Sequence, residues 1–261
     1  MRYPLHLVDA FTDRAFSGNP AAVMVLDEPL PDHLMQAVAQ EMNQAETAFV
    51  MPRVGAWDLR WFTPVQEVAF CGHATLAAAH VLAAEMGRTG EISFQTQRVG
   101  ALKVRVEQPC RYRLDLPRIE PRPVTLRELP FWVSGYRSAF KADEVLCIEV
   151  ESEKDVRGFE PDFGLIAQYL AGGFCLTAPG HDADCVSRFF WPSGGIPEDQ
   201  VTGSLHATLV PFWAGRLGRD RLTAVQASRR AGRLDCELAP QRVFLTGSAV
   251  TTLRGHIDLP D

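Results

Sequence analysis

Long hydrophobic runs are missing from this chain of 261 residues. Every apolar stretch is broken by His, Gly or charge well short of the roughly 20 residues that a membrane-spanning helix requires. Met1 to Val8 has no long apolar segment either, so neither a membrane span nor a secretory leader is expected. Positive charge is in deficit, with 26 Lys and Arg against 32 Asp and Glu for a net charge of −6. A polyanion needs a clustered positive field, so no nucleic-acid partner is expected. The arginines from Arg216 to Arg233 read as a solvated face. The six cysteines (71, 110, 147, 175, 185 and 236) form no C-x-x-C pair and no Cys/His metal spacing. No metal is expected, and five cysteines read as small buried residues, leaving Cys71 to be followed. No segment is of low complexity. These absences leave a soluble, cytoplasmic protein whose partner is a small molecule.

What is present is one buried helix in two copies. From Ala74 to Met86 the chain is Ala-rich and apolar on nearly every face, and Gly87-Arg88 stops it. Thr202 to Arg219 repeats the plan: Gly72 answers Gly203, Gly87 answers Gly218 and Arg88 answers Arg219, each 131 residues apart. Upstream, Arg60-Trp61-Phe62-Thr63-Pro64 answers Arg188-Phe189-Phe190-Trp191-Pro192 at a spacing of 128. A flanked helix repeated at half the chain length implies two similar halves. The length allows two compact units.

In chain order, Leu5 to Phe11 alternates as a strand, and Ser17-Gly18-Asn19-Pro20 turns into a second strand, Ala21 to Leu26. Pro31-Asp32 opens a helix that ends near Asn43. Strands are expected over 59–62, 92–106, 112–116, 145–150, 172–178 and 185–190, with partial helix over 155–169. The proline-rich stretch from Pro117 to Pro130 is predicted to link the halves. The boundaries that follow are 1–118 and 119–250, and a last strand near 250–261 can cross back to complete the first half.

Glu46 joins the first helix to a β-type run. Half-buried there, a carboxyl holds its proton more tightly and can both take and give one; on position alone a capping or solvated Glu is the plainer reading. Gly72 and Gly203 precede the two core helices, whose free N–H groups can seat a carboxylate. His73 stands beside the first seat; Glu198 and Asp199 stand beside the second, with Ser204 just inside the helix. Alone, His73 is a buried histidine and Asp199 a turn residue. Their matched places at the ends of a duplicated unit raise them to candidates.

Six motifs in order carry a resemblance: Asp9-Ala10-Phe11-Thr12 with Phe16 to Val23, Glu46 to Val50, Arg60 to Pro64, Cys71 to Thr75, and Gly195 to Ser204. Over residues 9 to about 213 the chain resembles the PhzF family of phenazine-biosynthesis-like isomerases. The resemblance implies an α+β fold similar to diaminopimelate epimerase. Two pseudo-symmetric halves each wrap a curved, mostly antiparallel sheet or barrel around a central helix, with the active site between them. It implies a homodimer and an isomerase without cofactor, in which a glutamate shuttles a proton between carbons of trans-2,3-dihydro-3-hydroxyanthranilate. By motif position the catalytic roles pass to Glu46, His73 and Asp199, and substrate binding to Gly72, Gly203 and Ser204.

The chain departs from the family pattern at Ala45, where a serine often precedes the glutamate, and at Gln200, where proline is usual. Two other readings stand beside this one. A two-thiol racemase or epimerase would need a partner for Cys71, and the repeat places Thr202 there. A non-catalytic binding protein would keep the fold alone.

Overall fold

The computed structural model describes residues 1–125, 129–130 and 135–260. Residues 126–128 of the proline-rich stretch, and Asp261 at the end of the expected last strand, lie outside the described residues. In chain order the elements are β1 (Arg2–Ala10), β2 (Asn19–Val25), α1 (Asp32–Met42), β3 (Glu46–Arg53), β4 (Ala56–Phe62), β5 (Glu67–Val68), α2 (Gly72–Met86), β6 (Glu91–Gln95), β7 (Ala101–Gln108) and β8 (Arg111–Pro117). Then follow β9 (Arg122–Pro123), β10 (Ser138–Ala142), β11 (Val145–Glu149), α3 (Glu153–Gly158), α4 (Phe163–Tyr169), β12 (Phe174–Pro179), β13 (Cys185–Trp191), β14 (Ile196–Asp199), α5 (Gly203–Leu217), β15 (Arg221–Gln226), β16 (Gly232–Leu238) and β17 (Arg242–Asp258). The fold is α+β, and the chain divides into two compact units, Met1–Asp115 with Thr246–Asp261, and Leu116–Leu245. Among the described residues no helix is long and apolar enough to cross a membrane.

In the first unit β1 pairs antiparallel with β2, and on its other edge with the end of β17, from Arg2↔Asp258 to Ala10↔Ala249. The helix α1 carries the chain from β2 to its parallel neighbour β3. Met24, Phe49 and Phe62 pack there against Met35 and Val38. β4 then pairs antiparallel with β3 and parallel with β6. α2 packs on β1, β2, β3 and β7, and every residue from Gly72 to Leu82 is buried. Alanine at so many of these positions keeps helix propensity high and lets strands approach from several sides. The one large polar side chain in its middle, His80, is satisfied at both ring nitrogens: Nδ1 meets Tyr112 Oη at 2.9 Å and Nε2 meets Thr251 Oγ1 at 2.9 Å.

The second unit repeats the order. β11 and β12 are parallel, as β2 and β3 are; β13 pairs parallel with β15, as β4 does with β6. Phe174, Phe190, Leu146 and Leu176 fill its core. The shared Arg-x-Phe pattern also repeats a contact. Arg60 grips Glu67 at 2.7 and 3.0 Å and lies 5.1 Å over Phe62; Arg188 grips Glu198 at 2.7 and 3.1 Å and lies 4.8 Å over Phe190. In each unit the bidentate pair fastens the strand before the core helix to the short strand leading into it.

Pro211 sits inside α5 and has no N–H to offer the carbonyl four residues back. That carbonyl, Ala207 O, accepts instead from Ile119 N at 3.1 Å. Arg118 N donates to Gln241 O at 3.1 Å, and β9 pairs with β10. The segment from Arg118 to Pro123, read from sequence as linker, is thus stitched into the second unit, because a proline in the helix leaves an acceptor for it. A second correction concerns Cys110, expected to be buried. It is exposed at the tight turn between β7 and β8, with φ 60.

Both core helices end on a glycine in the left-handed region, Gly87 at φ 65 and Gly218 at φ 67. A Cβ at either would meet nothing within 4 Å, so substitution strains the backbone alone. Gly87→Ala and Gly218→Ala are each expected to cost about 1–2 kcal/mol in equilibrium denaturation. Equal losses fit duplicated caps; no loss at either would contradict them.

Candidate active site

In the first unit Glu46 opens β3 and lies beside Ala21 of β2. The αL residue Asn43 (φ 48) ends α1 three residues earlier, so the chain turns directly from helix into a central strand. That turn takes Glu46 out of solvent, to 8 % exposed. His73 is the second residue of α2 and is 3 % exposed. Its Nε2 lies 3.2 Å from Glu46 Oε2, an ion-pair distance. Its Nδ1 lies 3.0 Å from Asn19 Nδ2 and 3.4 Å from Cys71 Sγ. Cys71 is the residue before the helix, and its carbonyl accepts from Thr75 Oγ1 at 2.5 Å. A carboxylate, an imidazole, an amide and a thiol are therefore gathered from β2, β3 and the start of α2.

Gly72 is the first residue of α2, and Gly203 the first of α5. The sequence expectation had them preceding the helices; Cys71 and Thr202 take that place. The backbone is extended at both, with φ −145 at Cys71 and φ −102 at Thr202.

In the second unit Asp199 closes β14 and is half-buried. Its Oδ2 accepts from Thr202 Oγ1. Gln226, buried at the end of β15, ties this corner together. Its Oε1 accepts from Thr202 N at 2.7 Å, and its Nε2 donates to Asp199 O at 2.8 Å and Thr202 Oγ1 at 3.1 Å. Inside α5, His206 Nδ1 lies 2.8 Å from the Thr202 carbonyl, the same reach that Thr75 makes to Cys71. Burial pushes the His206 pKa down to about 4, so the ring is neutral and Nδ1–H is the donor to that carbonyl. Ser204 is exposed on the first turn. Gln200, where the family pattern has proline, accepts at Oε1 from Arg230 N at 3.3 Å and donates from Nε2 to Glu198 O at 3.2 Å. It thereby braces the turn after β15.

Of the sequence candidates, Glu46, His73 and Gly72 come together in the first unit, and Asp199, Gly203 and Ser204 lie along one corner of the second. Asn19 and Gln226 were missed. Asn19 stood in the sequence only as part of a turn, and Gln226 was not singled out at all. The available signal was polarity at the end of an otherwise apolar strand.

Glu46, Cys71 and His73 also bring three donor atoms within 4.8 Å of one another, a set that a divalent ion could use. Sequence spacing did not reveal it because Glu46 lies on another element. The thiol approaches the Nδ1 edge of the imidazole and the carboxylate the Nε2 edge, whereas one ion bonds one ring nitrogen.

Residues 8–255 match the family described as phenazine biosynthesis-like proteins (PhzC-PhzF). An uncharacterized isomerase of Pseudomonas aeruginosa is 46% identical over 267 residues, covering 99% of this chain and 100% of that protein. The crystal structure of a PhzF-family phenazine biosynthesis protein from Enterococcus faecalis superposes with a TM-score of 0.94 at 39% identity, covering 99% of this chain and 100% of that one. A probable proline racemase from Agrobacterium radiobacter, 13% identical with a TM-score of 0.67 over 99% of this chain and 93% of its own, shares the fold.

Proposed function

We propose, from the premise that this chain belongs to the phenazine biosynthesis-like (PhzC-PhzF) family, that it moves a proton between carbons of a small cyclic or amino carboxylic acid, Glu46 being the carrier. The observation that supports this most is the buried Glu46 carboxylate held 3.2 Å from His73 Nε2. Moving hydrogen along a conjugated ring needs a base whose conjugate acid can deliver a proton to a nearby carbon, in a place sheltered from bulk water. In the first step the substrate C–H bond breaks, its electron pair enters the conjugated system, and an O–H bond forms on Glu46. Between the steps the hydrogen of that O–H exchanges with solvent; in the second step the O–H bond breaks, the conjugated electron pair forms a new C–H bond, and the proton goes to a different carbon.

His73 supports the carboxylate in both steps, and Asp199 holds a polar group of the substrate. Gly72, Gly203 and Ser204 provide backbone N–H and hydroxyl groups for the substrate's carboxylate. No cofactor is needed for this proton movement. Trans-2,3-dihydro-3-hydroxyanthranilate is the model substrate. Ala45 lacks the hydroxyl that often precedes the glutamate, a change beside the base that bears on which substrate fits.

The test is an NMR screen in deuterated water against cyclic dihydro acids and common amino acids. Deuterium uptake by a dihydro acid supports the proposal, and no uptake by any acid favours a protein that only binds.

A racemase reading draws on the shared fold and on Cys71. Two-face chemistry by thiols needs a second thiol, and the residue that takes the Cys71 position at the start of α5 is Thr202. Burial pushes the thiols of Cys175, Cys185 and Cys236 well up, away from reactivity. Cys71→Ser is therefore expected to keep activity within about tenfold, since Ser retains a donor toward His73. A loss of several orders of magnitude in exchange rate would restore the thiol reading.

A further inference from the structure

The two edges of the His73 ring face groups of opposite kind. At Nδ1 stand the Asn19 amide nitrogen at 3.0 Å and the Cys71 thiol at 3.4 Å. An amide NH2 can only donate, and a thiol can donate. At Nε2 stands Glu46 Oε2 at 3.2 Å, and an ionised carboxylate can only accept. One neutral tautomer suits both edges, with the lone pair on Nδ1 and the hydrogen on Nε2; at Nε2 the two groups stand at ion-pair distance without the alignment of a formed hydrogen bond. The other would set N–H against N–H and a lone pair against a carboxylate, in a buried place where mismatched polar contacts cost most.

Asn19 is well placed to impose that choice. It is fully buried at the first position of β2, paired in register with Ala10. The preceding Gly18 adopts φ +64, and a Cβ there would lie 2.2 Å from the Ala10 carbonyl oxygen. The backbone that presents the amide therefore tolerates only glycine before it.

We infer that Asn19 is a positioning residue for the Glu46–His73 pair: with Cys71 it holds His73 as the neutral Nε2–H tautomer and so places the ring N–H on the edge that faces the Glu46 carboxylate. A neutral donor orients the carboxylate while leaving it more basic than an imidazolium would. The consequence for catalysis rests on Glu46 being the proton carrier, whereas the tautomer itself does not.

The experiment is long-range 1H–15N NMR of 15N-histidine-labelled protein at neutral pH without substrate, the His73 signals being identified by their loss in His73→Gln. Wild type is expected to show Nδ1 bare and Nε2 protonated. In Asn19→Asp a carboxylate replaces the amide donor, and Nδ1 is expected to gain a proton. Isotope exchange should fall roughly 10- to 100-fold, by analogy with the loss of a partner that fixes the tautomer of a metal-bound histidine. A protonated Nδ1 in wild type overturns the inference even if the variant does not fold. So does a folded Asn19→Asp protein whose His73 stays in the wild-type tautomer. If Nδ1 is bare while Glu46→Gln leaves exchange intact, the carrier reading fails and the positioning role stands.

Discussion

Glu46→Gln is expected to reduce solvent-deuterium incorporation by roughly 10⁴-fold, the upper end of what one positioned acid–base group contributes. Gln has nearly the same shape as Glu and keeps an acceptor oxygen for the His73 N–H, so the first unit should fold unchanged. What it lacks is the ability to hold the substrate's proton between the two steps. The loss should therefore fall on the rate at saturating substrate, with KM little altered. Circular dichroism and denaturation matching wild type would show that the protein is intact. Undiminished exchange by a folded Glu46→Gln protein would remove Glu46 from the chemistry.

Acid is expected to weaken both units through one buried histidine in each. Burial pushes His80 in α2 and His206 in α5 from an ordinary pKa of 6.5 down to about 4. Arg254 and His6 lower His80 further and Glu85 partly opposes them. The hydrogen bond that His206 donates to the Thr202 carbonyl and the Asp199 charge partly offset the shift at His206. In the unfolded chain each ring binds a proton near pH 6.5, whereas in the folded chain it stays neutral until about pH 4. The unfolded state thus binds more protons across that window. The stability is fully present above pH 6.5 and is lost as pH falls toward 4, on the order of 3 kcal/mol for each ring. Urea denaturation at neutral pH and at pH about 4.5 should show the drop. His80→Gln and His206→Gln should each flatten it, whatever they do to stability at neutral pH. An unchanged slope in both variants would contradict the assignment.

The parts legible in the sequence were those fixed by local pattern. Alanine-rich composition and the terminal glycines marked α2 and α5, and their common spacing revealed the duplicated plan. The repeated Arg-x-Phe segment marked β4 and β13, although nothing local showed that each arginine would clasp a glutamate from the next short strand. The segment from Arg118 to Pro123 misled because proline content signals a linker, while the acceptor that captures it is created by Pro211, far along the chain.

At the candidate site, the repeat located the helix ends and could not locate what breaks the symmetry. At the repeat spacings Glu46 corresponds to Phe174 and Asp199 to Val68, so each proposed functional carboxylate has an apolar counterpart in the other unit. The contact between Glu46 and His73 depends on β3 lying beside β2 and under the first turn of α2, a matter of tertiary register. Asn19 was hidden for the same reason: next to a proline it reads as turn chemistry, and its partner lies 54 residues away. Gln226 likewise acts across the unit on Thr202 and Asp199.

The most direct measurement is the fate of hydrogen during turnover in deuterated water of whichever acid exchanges, beginning with trans-2,3-dihydro-3-hydroxyanthranilate. If Glu46 ferries the proton, NMR will show hydrogen lost at one carbon and deuterium gained at a different one, and the signal will vanish with Glu46→Gln. Deuterium returning to the same carbon with inverted configuration, at a rate indifferent to Glu46→Gln, would contradict it.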